Sequence, residues 1–434
     1  MRYCAVIAVL CSLVCYSSCA RAAWKQEEFI ITMWCPPPAT EENMAALAKD
    51  NYTLTGVTVD GDPESSKSSA LSQLDIAKKY GLKALLFSPL LTPQSLDDPA
   101  KKTQLDELVD AVKKHSALEG YHLIDEPSAS AFPDWGKLVR YLKQRDPGHL
   151  AYINLFPTYA SKEQLGVELT GKPNKLFGYP KNLAGIGPDN PTVELYNEHL
   201  AQFITQVKPE IISYDHYHFF RDGEDGEQYF LNLALIRIAA MKAGVPFLNI
   251  VQACTIEPSW RLVNASEMRW LAFMTLAYGG KALSWFLHWG PVEFGGMYQN
   301  GVRMPHADYA AAINKDIKAI GQVLMKLEST AVYHTVPLPL GTQALPTDCP
   351  VKIAEGEFVI GLFKDKGVQN SFVIVNRDYK NSASADLTLN FGKGKLWRFS
   401  RLNGQWSKLQ DLAGNDVVGV RLEPGDGELF KFTK

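Results

Sequence analysis

The chain has 434 residues, a formal net charge of −3 and 46% hydrophobic residues. A charge this close to zero excludes the strongly basic surface that nucleic acids or acidic membranes attract. The length exceeds that of one ordinary hydrophobic core and fits a barrel of about 250 residues with a smaller second domain. We therefore expect no nucleic-acid partner, and the composition leaves the oligomeric state open.

The N-terminus has the pattern of an export signal. A basic start, an apolar run over about residues 5–14 and the small residues Ala20 and Ala22 predict a cleaved signal peptide over residues 1–22. The alternative is a lipoprotein with its lipid on Cys19. No later apolar run is long enough to span a bilayer. The expected location is therefore secreted or periplasmic.

Cysteines and glycine-rich loops indicate neither metals nor cofactors. Four of the seven cysteines lie in the leader, which leaves Cys35, Cys254 and Cys349. Three scattered cysteines are not a disulfide framework and do not have zinc-ligand spacing. No phosphate-binding loop is present, since Gly279-Gly-Lys281 lacks the required spacing. We predict no cofactor and no metal.

Strand-like and helix-like segments alternate over the first three quarters of the chain. Helical periodicity, for example Leu105, Leu108, Val109 and Val112, occurs between apolar runs. Regular alternation predicts a parallel sheet closed as a (β/α)8 TIM barrel over residues 27–330. The eight runs are Phe29–Trp34, Leu54–Asp60, Ala84–Ser88, Tyr121–Glu126, Ala151–Phe156, Ile211–Tyr217, Phe247–Gln252 and Ala282–Trp289.

The pattern changes from about Tyr333 onward. Short alternating runs are separated by Lys-Gly, Asn-Gly and Gly-Asp-Gly turns, which is typical of antiparallel strands. We predict a C-terminal antiparallel β-sandwich over residues 333–434. Such a domain either packs against the barrel or contacts carbohydrate, and the absence of an aromatic cluster favours packing.

The fourth predicted strand ends in two adjacent acids, Asp125 and Glu126, followed by Pro127. Active sites of this barrel lie at the carboxyl ends of its strands, so the pair predicts acid–base chemistry. The structural alternative is that the two acids only cap the following helix.

The other strand ends supply the side chains that sugars require. Acids and amides hydrogen-bond hydroxyl groups, and flat rings stack on the apolar faces of pyranoses. The remaining candidates are Trp34, Asp60, Asn154, Asp215, Tyr217, Gln252, His288, Trp289 and Glu293. Asp60 could instead begin a turn, and Asn154 could only bond a neighbouring loop.

The sixth strand reads Ser213-Tyr-Asp215-His-Tyr217-His. Its period of two places Ser213, Asp215 and Tyr217 on one face and the two histidines on the other. If Asp215 faces the barrel mouth, His216 and His218 face away. A metal-dependent barrel hydrolase, which rests only on these histidines, is therefore disfavoured.

These motifs together resemble glycoside hydrolases of the (β/α)8 type over most of the chain. Ile124-Asp-Glu-Pro127 looks like the Asn-Glu-Pro of clan A, which implies that Glu126 is the general acid/base. The sixth and eighth strands are similar to the sugar-binding strands of that clan, family 42 β-galactosidases included. The seventh strand departs from the pattern because it ends at Gln252 without a carboxylate, and the nearest acid is Glu257 in the following loop.

Two other resemblances supply a partner for Glu126. The Asp-Glu pair resembles that of family 20 and 123 hexosaminidases, which implies that Asp125 orients a substrate acetamide and Tyr217 steadies the oxazoline. A resemblance to clan D α-galactosidases instead pairs Glu126 with Asp215. Carboxyl groups about 5 Å apart then imply retention of configuration, and about 6.5–9.5 Å inversion.

The sequence thus predicts an exported glycoside hydrolase that cleaves O-glycosidic bonds of an oligo- or polysaccharide. Glu126 is expected as acid/base, with Asp215, or Asp125 in the substrate-assisted case, as its partner. The alternative from another class is a glycan-binding protein on a degenerate barrel, since the acid of the seventh strand is missing.

Overall fold

The computed structural model describes residues 23–62, 65–178, 181–187, 189–256 and 258–434. The predicted signal peptide, Cys19 and Glu257 lie outside the described residues.

The predicted barrel is present. All eight strands are parallel, and their order in the sheet is β1-β8-β7-β6-β5-β4-β3-β2. Two hydrogen bonds of 2.9 Å join β1 to the segment that enters β2, from the Thr53 amide to the Ile31 carbonyl and from the Ile31 amide to the Thr53 hydroxyl. The strands are β1 (Ile30–Met33), β2 (Leu54–Thr58), β3 (Lys83–Phe87), β4 (Leu118–Ile124), β5 (Leu150–Leu155), β6 (Ile212–His216), β7 (Phe247–Gln252) and β8 (Ala282–Phe286).

Helices connect the strands and cover the outside of the barrel. Asn264 caps α8 in a reciprocal capping box, because its side chain accepts from the Glu267 amide and the Glu267 carboxylate accepts from the Asn264 amide. None of the described helices is long and apolar enough to cross a membrane. The helices are α1 (Glu41–Lys49), α2 (Ser66–Lys79), α3 (Pro99–Val112), α4 (Phe132–Arg145), α5 (Lys162–Leu165), α6 (Pro191–Gln202), α7 (Tyr229–Ala243), α8 (Ala265–Ala277) and α9 (Pro305–Leu324).

The loop after β8 forms a small sheet at the barrel mouth. It consists of β9 (Trp289–Gly290), β10 (Tyr298–Gln299) and β11 (Val302–Arg303). The predicted strand over Ala282–Trp289 is therefore wrong beyond Phe286. The chain leaves β8 there and crosses to the end of β1, where the amides of His288 and Trp289 donate to the carbonyls of Trp34 and Cys35.

The C-terminal part is the predicted β-sandwich. Its sheets have the orders β12-β14-β15-β20-β17-β18 and β13-β16-β19, and every pairing is antiparallel. The first strand begins at Glu328, before the predicted boundary at 333. The strands are β12 (Glu328–His334), β13 (Val351–Ile353), β14 (Phe358–Asp365), β15 (Val368–Asn376), β16 (Ala383–Leu389), β17 (Gly394–Ser400), β18 (Gln405–Leu412), β19 (Asp416–Leu422) and β20 (Gly427–Thr433).

The larger sheet of the sandwich packs on barrel helix α8. The buried Trp270 ring donates its Nε1 hydrogen to the Arg377 carbonyl at 2.8 Å, and Arg269 donates to the Pro424 carbonyl at 2.6 Å. Val359, Val373 and other residues of this sheet belong to the same buried apolar cluster as the barrel helices. This arrangement supports the predicted packing role of the domain.

Candidate active site

The backbone turns sharply where β4 delivers its acids. The strand ends at Ile124, two residues earlier than predicted, because Glu126 has a left-handed conformation with φ 45°. This conformation costs a residue with a Cβ about 1–2 kcal/mol. The Glu126 amide donates to the Asn154 carbonyl of β5 at 3.0 Å, which fixes the turn. Strain held in this way is common at functional sites.

Three carboxyl groups meet at this turn. The side-chain amide of Asn154 donates one hydrogen to Asp125 Oδ1 at 3.0 Å and the other to Asp215 Oδ1 at 2.9 Å. The Glu126 and Asp215 carboxyl groups are themselves in hydrogen-bonding contact. The structure therefore brings together the three acids that the sequence predicted as catalytic, from β4 and β6.

Electrostatics make this cluster hold a proton near neutrality. Burial, with the Asp125 carboxylate second, raises the pKa of Glu126 to about 7. Burial and then the Glu126 charge raise the pKa of Asp215 well above its usual range, and burial also raises that of Asp125. Two like charges in contact do not both ionise readily, so Glu126 and Asp215 share one proton and titrate as a pair. One acid and one carboxylate are thus available together.

A chain of hydrogen bonds fixes the orientation of Asn154. The Ser213 hydroxyl donates to Asn154 Oδ1 at 2.9 Å, and the Tyr152 hydroxyl bonds Ser213 Oγ at 2.7 Å. Asn154 is 1% exposed and its amide atoms are all engaged. Its predicted role in sugar binding is therefore replaced by a role in positioning acids. Inward alternation along β5 and β6 is the signal that could have identified Tyr152 and Ser213.

Aromatic rings line one side of the carboxyl cluster. The Tyr217 ring lies 5.0 Å from that of Phe286 and 5.7 Å from that of Trp260. The Tyr159 hydroxyl accepts from the Tyr217 amide at 3.3 Å, and Tyr159 is 38% exposed. Tyr217 was predicted, whereas Tyr159 and Trp260 were missed because they lie in the loops beyond β5 and β7. A search for aromatic residues in the loops after the strands would have identified them.

His216, at the end of β6, and His218, just beyond it, face away from the acids, as the alternation predicted. His216 Nδ1 bonds Asn232 of α7 at 2.8 Å, and His218 stacks on Trp270 of α8 at 4.8 Å. Within the described ranges, no group of three or more His, Cys, Asp or Glu side chains is arranged to hold a metal ion.

Gln252 is not available to a ligand. It is fully buried at the end of β7, where its Oε1 accepts from the amides of His218 and Phe219 at 3.2 and 3.0 Å. Its Nε2 donates to the Arg261 carbonyl at 2.7 Å. The predicted substrate contact is therefore corrected to a link between the loops after β6 and β7.

Three further candidates are not joined to the cluster. Asp60 is exposed, and its carboxylate accepts from the Asp62 amide at 3.1 Å and from Ser66 Oγ at 3.2 Å, which is the turn alternative. His288 is 2% exposed because it packs between the rings of Tyr52 and Tyr298 behind β1. Glu293 is exposed in the short 3-10 helix Val292–Phe294.

The two tryptophans near the mouth differ in their surroundings. Trp34, at the end of β1, is half-buried and its ring meets His122 edge-on at 5.4 Å. Trp289 lies in the small sheet and stacks on Tyr298 at 5.6 Å. Trp34 therefore belongs to the barrel mouth, whereas Trp289 belongs to the loop that covers the end of β1.

Comparisons with known proteins give the fold. No family model matches the chain, and no curated protein matches its sequence. A glycoside hydrolase family 5 protein from Bacteroides vulgatus ATCC 8482 is similar in structure, with a TM-score of 0.56, 11% identity and coverage of 95% of this chain and 92% of that one. A glucosidase from Croceicoccus marinus has a TM-score of 0.46, 13% identity and coverage of 96% and 98%. The likeness to the family 5 protein shows that the chain has the barrel fold found in that glycoside hydrolase.

Proposed function

We propose that this chain is a glycoside hydrolase that cleaves O-glycosidic bonds of an oligo- or polysaccharide. The observation that carries the proposal is the contact between the Glu126 and Asp215 carboxyl groups at the carboxyl ends of β4 and β6, where burial and mutual charge interaction favour one protonated and one ionised group. Glycoside hydrolysis requires one protonated and one ionised carboxyl group. The fold of the family 5 protein supports the proposal by analogy.

In this proposal Glu126 protonates the leaving oxygen. Its pKa of about 7 keeps a useful fraction protonated near neutrality, and the ionised form can then accept a proton from water. Asp215 is the partner. In the free protein burial and then the Glu126 charge raise the pKa of Asp215 well above its usual range, so Asp215 keeps the proton of the pair. The bound substrate must shift that proton to Glu126 before Asp215 acts as the carboxylate to which the Asn154 amide donates. In the substrate-assisted alternative, Asp125 orients an acetamide of the substrate and Tyr217 steadies its oxygen.

Glu126 and Asp215 interact with each other through a side-chain hydrogen bond in the free protein. Glycoside hydrolases work with carboxyl groups about 5 Å apart for retention or about 6.5–9.5 Å apart for inversion. The sugar is expected to displace the shared hydrogen bond when it enters between the two groups. Half-buried Trp34 and the rings near Tyr217 provide surfaces on which a pyranose can stack.

We also propose that the enzyme is exported. Residues 1–22 have the order of basic start, apolar run and small residues that signal peptides share. Expression of the full chain in a bacterial host, followed by N-terminal sequencing of the periplasmic product, tests this. A product beginning near Ala23 is expected, and a full-length product retained in the cytoplasm would contradict it.

The test of activity is a screen of aryl glycosides with the wild type, Glu126→Gln and the exposed-site control Glu355→Gln. Removal of the acid is expected to lower kcat/KM roughly 10²–10⁴-fold while the control keeps its activity. Full activity of Glu126→Gln would refute the assignment.

Glycan binding without turnover is the second candidate, and one observation favours it. β7 ends at Gln252 without a carboxylate, and the Glu126 and Asp215 carboxyl groups are in contact with each other. Affinity for glycans measured by calorimetry, with no turnover by the wild type on any glycoside, would establish the binding protein instead.

A further inference from the structure

A cavity of about 170 Å³ lies inside the barrel beneath its mouth. Its walls are mainly apolar and include side chains from the inner faces of β1, β3, β4 and β5. Cys35 lies at its rim, where burial and then the Asp125 carboxylate raise the pKa of the thiol, so Asp125 is near the rim. The cavity therefore opens beside the acids, and we call it the inner chamber.

The chamber departs from the usual interior of this fold. Barrel interiors are normally filled by layers of large branched side chains. Branched residues such as Leu85 and Leu150 also line this space, but Thr32 and Ser284 contribute small side chains, which leaves it open. A Cβ on Gly56 would lie 2.6 Å from the Phe87 ring and 2.7 Å from Pro36, so glycine allows both to form the wall.

Flat rings surround the chamber. The His122 ring stacks on Phe87 at 4.2 Å, lies 5.3 Å from the Tyr152 ring and meets Trp34 at 5.4 Å. A ligand among these rings gains most if it is itself flat and apolar. A pyranose would instead bury several hydroxyl groups against apolar walls, each without a partner.

Two residues that line the chamber, Thr55 and His122, each have a buried polar side-chain atom without a partner among the described residues, and the His122 atom belongs to the ring cluster. The buried Nε2 of His122 has no hydrogen-bond partner among the residues that the structure describes. Burial lowers the pKa of His122 to about 4, so the ring is neutral near pH 7. A neutral imidazole has one N–H and one acceptor nitrogen, so Nε2 can accept from a ligand hydroxyl or donate to it. A ligand hydroxyl would satisfy this atom.

We propose that the inner chamber binds a single aromatic ring that carries a hydroxyl group, that is, a monocyclic phenol. An apolar cavity of about 150 Å³ is known to hold a benzene molecule, so the size fits. The ring packs among Phe87, Trp34 and Tyr152, and the hydroxyl forms a hydrogen bond with His122 Nε2. The phenol has two possible sources. It is either the aglycone of an aryl glycoside, which rests on the proposed function, or an independent ligand.

The test is calorimetric titration of the full-length protein with phenol. The wild type is expected to bind one phenol, and Ser284→Leu, which fills the chamber, is expected to abolish binding while the exposed control Ser384→Leu keeps it. No binding by the wild type, or unchanged binding by folded Ser284→Leu, would overturn the proposal. Phenol has no glycosidic bond, so its binding is measured without hydrolysis and the result does not depend on the proposed function.

His122→Phe provides a second variant that keeps the volume of the wall. It is expected to weaken phenol binding about tenfold, through loss of one hydrogen bond, and to leave toluene binding unchanged. Equal losses for both ligands would overturn the role of Nε2. Phenol that competes with a phenyl glycoside identifies the aglycone as the source, and phenol that binds without competing identifies an independent ligand.

Discussion

At the scale of single residues, the site depends on one amide as much as on its acids. Asn154 donates to Asp125 and Asp215 together, and its backbone carbonyl holds the left-handed Glu126. The acids could be predicted from their place at strand ends. The role of Asn154 could not, because it arises from contacts between β4, β5 and β6 that no local pattern records.

The raised pKa of Glu126 predicts a pH-dependent stability. A carboxyl group whose pKa rises from 4.5 to about 7 on folding stabilises the protein fully below its unfolded pKa, and this contribution is lost as pH rises through the folded pKa. The glutamine in Glu126→Gln does not ionise, so the variant does not lose stability in this way as the pH rises. Urea unfolding of both proteins should therefore show that the free energy of unfolding of the variant rises relative to that of the wild type between about pH 5 and pH 8. An equal difference at both pH values would contradict the assigned pKa.

Ser213→Ala tests how Asn154 is held. Without the Ser213 hydroxyl, the amide can rotate and direct its oxygen at the acids, so the lowering effect of its hydrogen bonds on the pKa of Asp215 is lost. The acidic limb of the kcat/KM profile should then move to higher pH, whereas the control Ser384→Ala keeps the wild-type profile. A lower kcat with an unmoved acidic limb would mean that Ser213 acts only through packing.

At the scale of elements, strand existence was predictable but strand ends were not. Apolar runs and helical periodicity located all eight barrel strands. The end of β8 was missed because the chain crosses to β1 through the amides of His288 and Trp289, a contact between distant segments. A contact between distant segments also explains why the predicted ligand contact of Gln252 was wrong. Its position at a strand end suggested a ligand contact, but loops that the strand pattern does not describe occupy its polar atoms.

Gln252→Leu tests the link between the loops after β6 and β7. The buried amides of His218 and Phe219 lose their acceptor, which should lower the free energy of unfolding by about 1–3 kcal/mol. Gln405→Leu, at an exposed position in β18, is the control and should change it little. Chemical denaturation measures both. Wild-type stability together with a raised KM would restore the ligand contact that the structure argues against.

At the scale of the whole molecule, the sandwich completes the core of the barrel. Its larger sheet packs on α8, and the apolar cluster continues from the barrel helices into that sheet. We therefore expect one cooperative unfolding transition for both domains. The sequence predicted the second domain and its packing role from turn spacing and from the absence of an aromatic cluster. The residues in contact could not be predicted, since they are set by which helix face the sheet meets.

Gly361→Ala tests this shared core. A Cβ at Gly361 of β14 would lie 2.2 Å from the carbonyl oxygen of Ala277 in α8, and a backbone atom does not move aside as a flexible side chain does. Overpacking of this kind is expected to cost about 1–3 kcal/mol. At Gly419 of β19 the nearest atom to a new Cβ is Asp386 Oδ1 at 3.6 Å, so Gly419→Ala is the matched control and should unfold as the wild type does. Calorimetry should show the single transition of Gly361→Ala moved to lower temperature as a whole, because the contact joins the two domains. A barrel transition that stays in place while the sandwich melts separately would contradict a shared core.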